Sequence, residues 1–141
     1  MSLLEKVKKL VESQPLGVLS TSRENYPHTT LVAHRTNIQE RKTIFVTTTS
    51  SRKAENIKEN PQVSLFIDNR QNTYKDFRDT IGVTIKGKAT QNPEYTDYFL
   101  EKHPNLIDFV HSPSTGIFCI EIERIEVVTE FQKVYELNLN E

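Results

Sequence analysis

The chain has 141 residues, with 18 Lys and Arg against 19 Asp and Glu and a formal net charge of −1. That length suits one compact domain spanning 1–141 and is short for two, and the charge balance excludes a protein that grips nucleic acid chiefly through a basic surface. A single cysteine, Cys119, leaves no internal disulfide framework, and no apolar run has the length of a signal peptide core or a membrane span, so a cytoplasmic setting without a membrane partner is expected.

Leu3, Leu4, Val7, Leu10 and Val11 recur at three and four residues and predict an amphipathic helix over 2–12. Two short runs, 16–22 and 28–36, flank the polar turn RENYP and read as strand, turn, strand. After NIQERK comes a third strand, TIFVTTT (43–49), then a short helix within SSRKAENIKEN that Asn60-Pro61 ends. VSLFIDN (63–69) is a fourth strand. The polar stretch RQNTYKDFRD reads as a loop, and IGVTIKGKATQ (81–91) as a long strand. A helical region broken at Pro104 follows, then a strand over 116–130 and a tail, FQKVYEL, able to extend the sheet. Six or so strands with turn signals between neighbours predict a mainly β chain, folded as a closed or half-closed antiparallel barrel with a few helices.

Several catalytic devices are absent from the sequence. With four glycines in all, there is no glycine-rich phosphate loop, and His28, His34, His103 and His111 show no metal-ligand spacing. Cys119, between Phe118 and Ile120, reads as core packing. The unusual feature is SSRKAEN. Arg52 and Lys53 occupy the first turn of a helix, where the macrodipole is positive and several N–H groups lack acceptors, so acids are favoured there and cations are not. Five consecutive hydroxyl residues, Thr47, Thr48, Thr49, Ser50 and Ser51, precede them, while Glu55 lies further along. The cations could simply face solvent at a small cost. A phosphate at this helix end would instead be held by free N–H groups, the dipole and both cations together.

TIFVTTTSSRKAENIKENPQVSLFI resembles the core signature of the pyridoxamine 5'-phosphate oxidase-like, FMN-binding split-barrel superfamily, and the similarity runs from about Gly17 to Glu130. The resemblance implies a homodimer of six-stranded, Greek-key-like split barrels with an FMN in each of two clefts at the subunit interface. It implies that Arg52 and Lys53 pair with the FMN phosphate and that Ser51, at the end of the hydroxyl run that begins Thr47, Thr48, Thr49, donates to it. Val46 and Thr47 match the strand end against the ribityl chain or ring. The segment from Leu31 through Val32, Ala33 and His34 to Thr36 matches the strand whose backbone follows the isoalloxazine edge. Alternation along this strand leaves the His34 side chain facing either cleft or solvent. Tyr74, Phe77 and Phe131 are candidates for aromatics that flank the ring from the second subunit.

The sequence also departs from the true oxidases, which carry a glutamine where Gly82 stands, an arginine where Leu31 stands, and a terminal Arg-x-His motif that ELNLNE lacks. The expectation is therefore an FMN-dependent oxidoreductase of unassigned substrate, with NAD(P)H as one electron donor available to such a flavin. A non-catalytic flavin module for storage or sensing, or a relative using deazaflavin or haem, is the alternative.

Overall fold

The computed structural model describes residues 1–139. Helix α1 (Leu3–Ser13) starts at Ser2, whose Oγ accepts from the Glu5 N–H while the Glu5 carboxylate accepts from the Ser2 N–H, a reciprocal capping box. Its apolar face buries Val7, Leu10 and Val11. Strands β1 (Leu16–Arg23) and β2 (Tyr26–Asn37) form a hairpin with a two-residue loop, Glu24-Asn25. Both loop residues have positive φ, 52° and 66°, as a turn matched to the strand twist requires.

Strand β3 (Lys42–Thr48) pairs with β2, helix α2 (Arg52–Glu59) follows, and β4 (Gln62–Asp68) returns to lie beside β1. That order, β3-β2-β1-β4, is Greek-key-like. Strand β5 (Gly82–Gln91) pairs with β4, and the long β6 (Thr115–Thr129) pairs with β5 on one side and β3 on the other. The β3–β6 ladder, from Lys42 opposite Glu121 to Thr48 opposite Thr115, closes a six-stranded antiparallel barrel. As the tail's pattern predicts, β7 (Lys133–Glu136) extends the sheet as a hairpin on β6 outside the ring.

Closure depends on one glycine. The β5–β6 register shifts between Lys86 and Gly87, and a Cβ on Gly87 would lie 2.0 Å from the Glu121 carbonyl oxygen. Only a residue without a side chain permits that approach at a barrel bulge.

The barrel interior is filled by residues such as Leu19, Leu65, Ile85, Ile120 and Ile125, with Phe45 stacked on Phe118 at 5.2 Å, and α1 packs into the same core. A second, smaller core lies under helices α4 (Thr96–Lys102) and α5 (Ile107–Val110), where Phe99 and Val110 meet Ile44, Val46, Ile117 and Cys119. Cys119 is thus a packing residue, and burial pushes its thiol up. The stretch expected as a loop contains one helical turn, α3 (Asp76–Asp79). The Asp76 carboxylate organises it by accepting from the Thr80 hydroxyl and the Gln71 and Thr73 N–H groups, which hold the carboxyl down at about 2.

Candidate functional site

Helix α2 is fixed on the barrel by its polar face as well as its apolar one. Ala54 and Ile57 are buried, the Asn56 amide donates to Thr21 Oγ1 at 3.0 Å, and the Asn60 amide donates to Ser22 Oγ at 3.0 Å. The i, i+4 spacing puts both asparagines on the side facing β1. The N-terminus of α2 is thereby held at the end of β3.

Ser51 is the N-cap: its Oγ accepts from the Ala54 N–H, donates to the Thr48 carbonyl at 2.8 Å and lies 3.3 Å from Thr47 Oγ1. Thr49 donates both its N–H and its hydroxyl to the Ser114 carbonyl. The five hydroxyls are therefore not a uniform row of free donors, because cap and strand-end chemistry engages three of them.

A cavity of about 290 Å3 opens beside this corner. Strand β2 supplies Leu31, Val32 and Ala33 to its lining, β3 supplies Val46, Thr47 and Thr48, and α2 supplies Lys53. Seven of the residues singled out in the sequence thus surround one space. Leu106 and Phe109, from the segment after Pro104, complete the lining and were not anticipated. The Leu106, Phe109 and Val110 spacing in NLIDFV is the signal for that wall, since it places Val110 in the core and Phe109 at the rim.

Lys53 is the distinctive group. It is partly buried, and desolvation pulls its ammonium below the usual lysine range. Among the described residues neither Lys53 nor Arg52 has an ion-pair partner, although eight ion pairs form elsewhere. Arg52 is exposed and lies outside the cavity lining. A desolvated cation without a counter-ion, at the positive end of a helix and the rim of a cavity, fits the phosphate end of an anionic ligand. The remaining lining is apolar or hydroxylic, which fits a flat ring with a polyol arm.

His34 faces neither cleft nor solvent. It shares strand parity with the buried Val32 and Thr36, so its ring is fully buried. Nδ1 lies 2.9 Å from Thr36 Oγ1, which in turn lies 2.9 Å from Thr43 Oγ1, and Nε2 has no hydrogen-bond partner among the described residues. Burial, then the nearby Lys102 ammonium, pushes the ring down to about 3, against a smaller opposing effect from the Gln14 backbone. In this closed arrangement the ring is neutral at neutral pH, and His34 is not among the residues that line the cavity.

Tyr74, Phe77 and Phe131 lie on another face of the barrel. They form an exposed ladder, with ring centroids 6.4 Å apart for Tyr74–Phe77 and 5.1 Å for Phe77–Phe131. Phe77 and Phe131 border a separate cavity of about 480 Å3, whose wall includes Gly82. A Cβ on Gly82 would lie 2.8 Å from Phe66 Cζ and 2.9 Å from Val128 Cγ1, so the glutamine of the true oxidases has no room in this packing. Among the described residues no helix is long and apolar enough to cross a membrane.

The heme binding protein from Mycobacterium smegmatis superposes with a TM-score of 0.84 over 99% of this chain, at 14% identity, and this chain spans 59% of that one. The General Stress Protein 26 of Bacillus anthracis gives 0.73 over 97% of this chain and 100% of its own, at 21% identity. An FAD-binding protein from Mesorhizobium loti gives 0.70 over 90% of this chain and 94% of its own, at 18% identity. At such identities these likenesses speak for the fold alone. No curated protein matches by sequence. The sequence profile described as pyridoxamine 5'-phosphate oxidase, however, matches residues 3–129, the whole of the barrel from α1 to the end of β6, and the chain belongs to that family.

Proposed function

We propose that this protein binds FMN in the cavity between β2, β3 and the N-terminus of α2, and uses it for hydride or electron transfer to a substrate still to be assigned. The observation that carries this reading is Lys53, a partly buried cation at the cavity rim with no ion-pair partner among the described residues. Lys53 and Arg52 would hold the phosphate, together with the first-turn N–H groups of α2. The strand segment 31–34 would align the ring edge through its backbone, while Val46 and Thr47 would pack against the ring or the ribityl chain. Bound flavin supplies the redox chemistry, and the protein orients it and excludes water. No residue of this chain at the cavity is a histidine, cysteine, methionine or tyrosine, so its own lining offers no ready iron ligand and favours flavin over haem.

The reading includes a homodimer. Ligand sites usually measure about 300–1,000 Å3 and enclose most of the ligand. At about 290 Å3 and open on one side, this cavity encloses only part of an FMN. Leu31 and Phe109, which line it, are exposed, and Tyr74, Phe77 and Phe131 are exposed elsewhere. A second copy that brings its aromatic ladder to this mouth would cover both patches at once.

The test is the cofactor carried by the purified protein. Yellow protein that releases a compound of FMN mass, and whose absorption bleaches with NADH, NADPH or dithionite, is the expected result. A colourless protein that takes up no added FMN overturns the proposal, and a deazaflavin mass would redirect it.

A further inference from the structure

One buried imidazole, His103, joins β2 to the segment that walls the cavity, and the buried His34 ring lies close enough to act on it electrostatically. His103, at the C-terminus of α4, places Nε2 2.7 Å from the His34 carbonyl oxygen. A carbonyl only accepts, so Nε2 carries the proton and the neutral ring is the Nε2–H tautomer. The His103 ring also stacks on Phe99 at 4.7 Å. One residue later the chain turns at Pro104 and delivers Leu106 and Phe109 to the cavity.

The charges around this pair are mostly positive. Lys102, from α4, donates to the Val11 and Gln14 carbonyls at the end of α1. Arg35, from β2, donates to the Tyr98 carbonyl and to Glu101, and stacks over the Tyr98 ring at 3.9 Å. Among the described residues, the carboxylates that act on these cations are Glu101, engaged by Arg35, and Glu12, which interacts with Lys102. Thr36 and Thr43 are neutral, and the Gln14 carbonyl, which also accepts from Lys102, opposes the burial effect at His34 only in part. A proton added to either ring meets the repulsion of Lys102, set against one backbone carbonyl at each ring, Gln14 for His34 and His34 for His103.

We propose that His34 and His103 form an acid-sensitive catch, which holds the α4–α5 wall against β2 at neutral pH and releases it when either imidazole takes up a proton. Both rings are pushed below the usual histidine range, chiefly by burial, with Lys102 adding to the effect and the His34 carbonyl partly opposing it at His103. The sign follows directly. The closed form binds protons less readily than the open one, so closure is complete above about pH 6.5 and weakens as pH falls below it. With the closed His34 ring at about 3 and the released ring at about 6.5, opening rises about tenfold between pH 7.5 and 5.5, before any contribution from His103. Loss of ligand in mild acid would follow, and that consequence rests on the proposed flavin site. The catch itself does not.

Amide hydrogen exchange on the full chain, corrected for the pH dependence of intrinsic exchange, tests the catch without reference to ligand. Protection of 96–110 should fall at least tenfold from pH 7.5 to 5.5 while that of β4 and β5 holds. The drop should shrink in His103→Gln, whose amide keeps the bond to the His34 carbonyl but does not titrate. Flat protection in the wild-type chain, a drop shared equally by β4 and β5, or an undiminished drop in His103→Gln would overturn the proposal. If 96–110 responds as expected in a protein that binds no flavin, only the flavin assignment is lost.

Discussion

Removing Lys53 separates a ligand-binding role from a structural one. A hydrogen bond to a charged group contributes about 1.5–3 kcal/mol. Lys53 sits at a rim rather than in a closed interior, so screening places its contact with a phosphate near the middle of that range, about 2 kcal/mol or roughly 30-fold in affinity. Arg52 is exposed, where ion pairs contribute about 0.2–1 kcal/mol, so Arg52→Ala should cost no more than about fivefold. Without ligand, Lys53→Ala removes a desolvated ammonium that has no ion-pair partner among the described residues, and the melting temperature should hold or rise. Titration with FMN and with riboflavin, followed by flavin fluorescence, reads the phosphate contact by difference. Lys53→Ala should weaken FMN binding about 30-fold and leave riboflavin unchanged. Equal losses for both ligands, or an unaltered FMN affinity in a folded variant, would refute the assignment of Lys53 to the phosphate.

Gly87→Ala forces a Cβ to within 2.0 Å of the Glu121 carbonyl, so β5 and β6 must part at the bulge; denaturant unfolding should show a loss of about 3 kcal/mol or more. Phe77→Ser removes an exposed ring, so monomer stability should stay within about 0.5 kcal/mol. If the aromatic ladder meets a second copy, light scattering should find Phe77→Ser shifted towards monomer, and an unchanged dimer would remove Phe77 from the interface.

Much of the barrel was legible because its strands are short, β-branched and separated by turn formers, and because α1 announces itself at helical spacing. The place of SRK at a helix start was legible from charge alone, since cations in a first turn need a reason. What stayed hidden depends on neighbours distant in sequence. Alternation could say that His34 and Arg35 point to opposite faces, but not that α1 and α4 cover the His34 face. The engagement of Ser51 and Thr49 by backbone carbonyls, and the arrival of Leu106 and Phe109 at the cavity, likewise follow from packing. Asp76 shows the same limit, since only the folded loop shows which N–H groups a single carboxylate gathers.

The β3–β6 ladder also bears on when the cavity comes into being. Strand β3 lines the cavity, yet among the described residues its outer edge is paired by β6, about half the chain later in sequence. A ribosome has therefore released α2, β4 and β5 before β3 acquires its second neighbour. Because such distant pairing forms slowly, residues 31–53 leave the ribosome with the cavity's residues encoded but one of its strands unsupported. Until β6 docks, β3 offers a row of unpaired N–H and C=O groups to other nascent chains. The barrel seam thus makes completion of the cavity one of the last events of folding, and marks a β6 truncation as a route to aggregation rather than to a smaller stable domain.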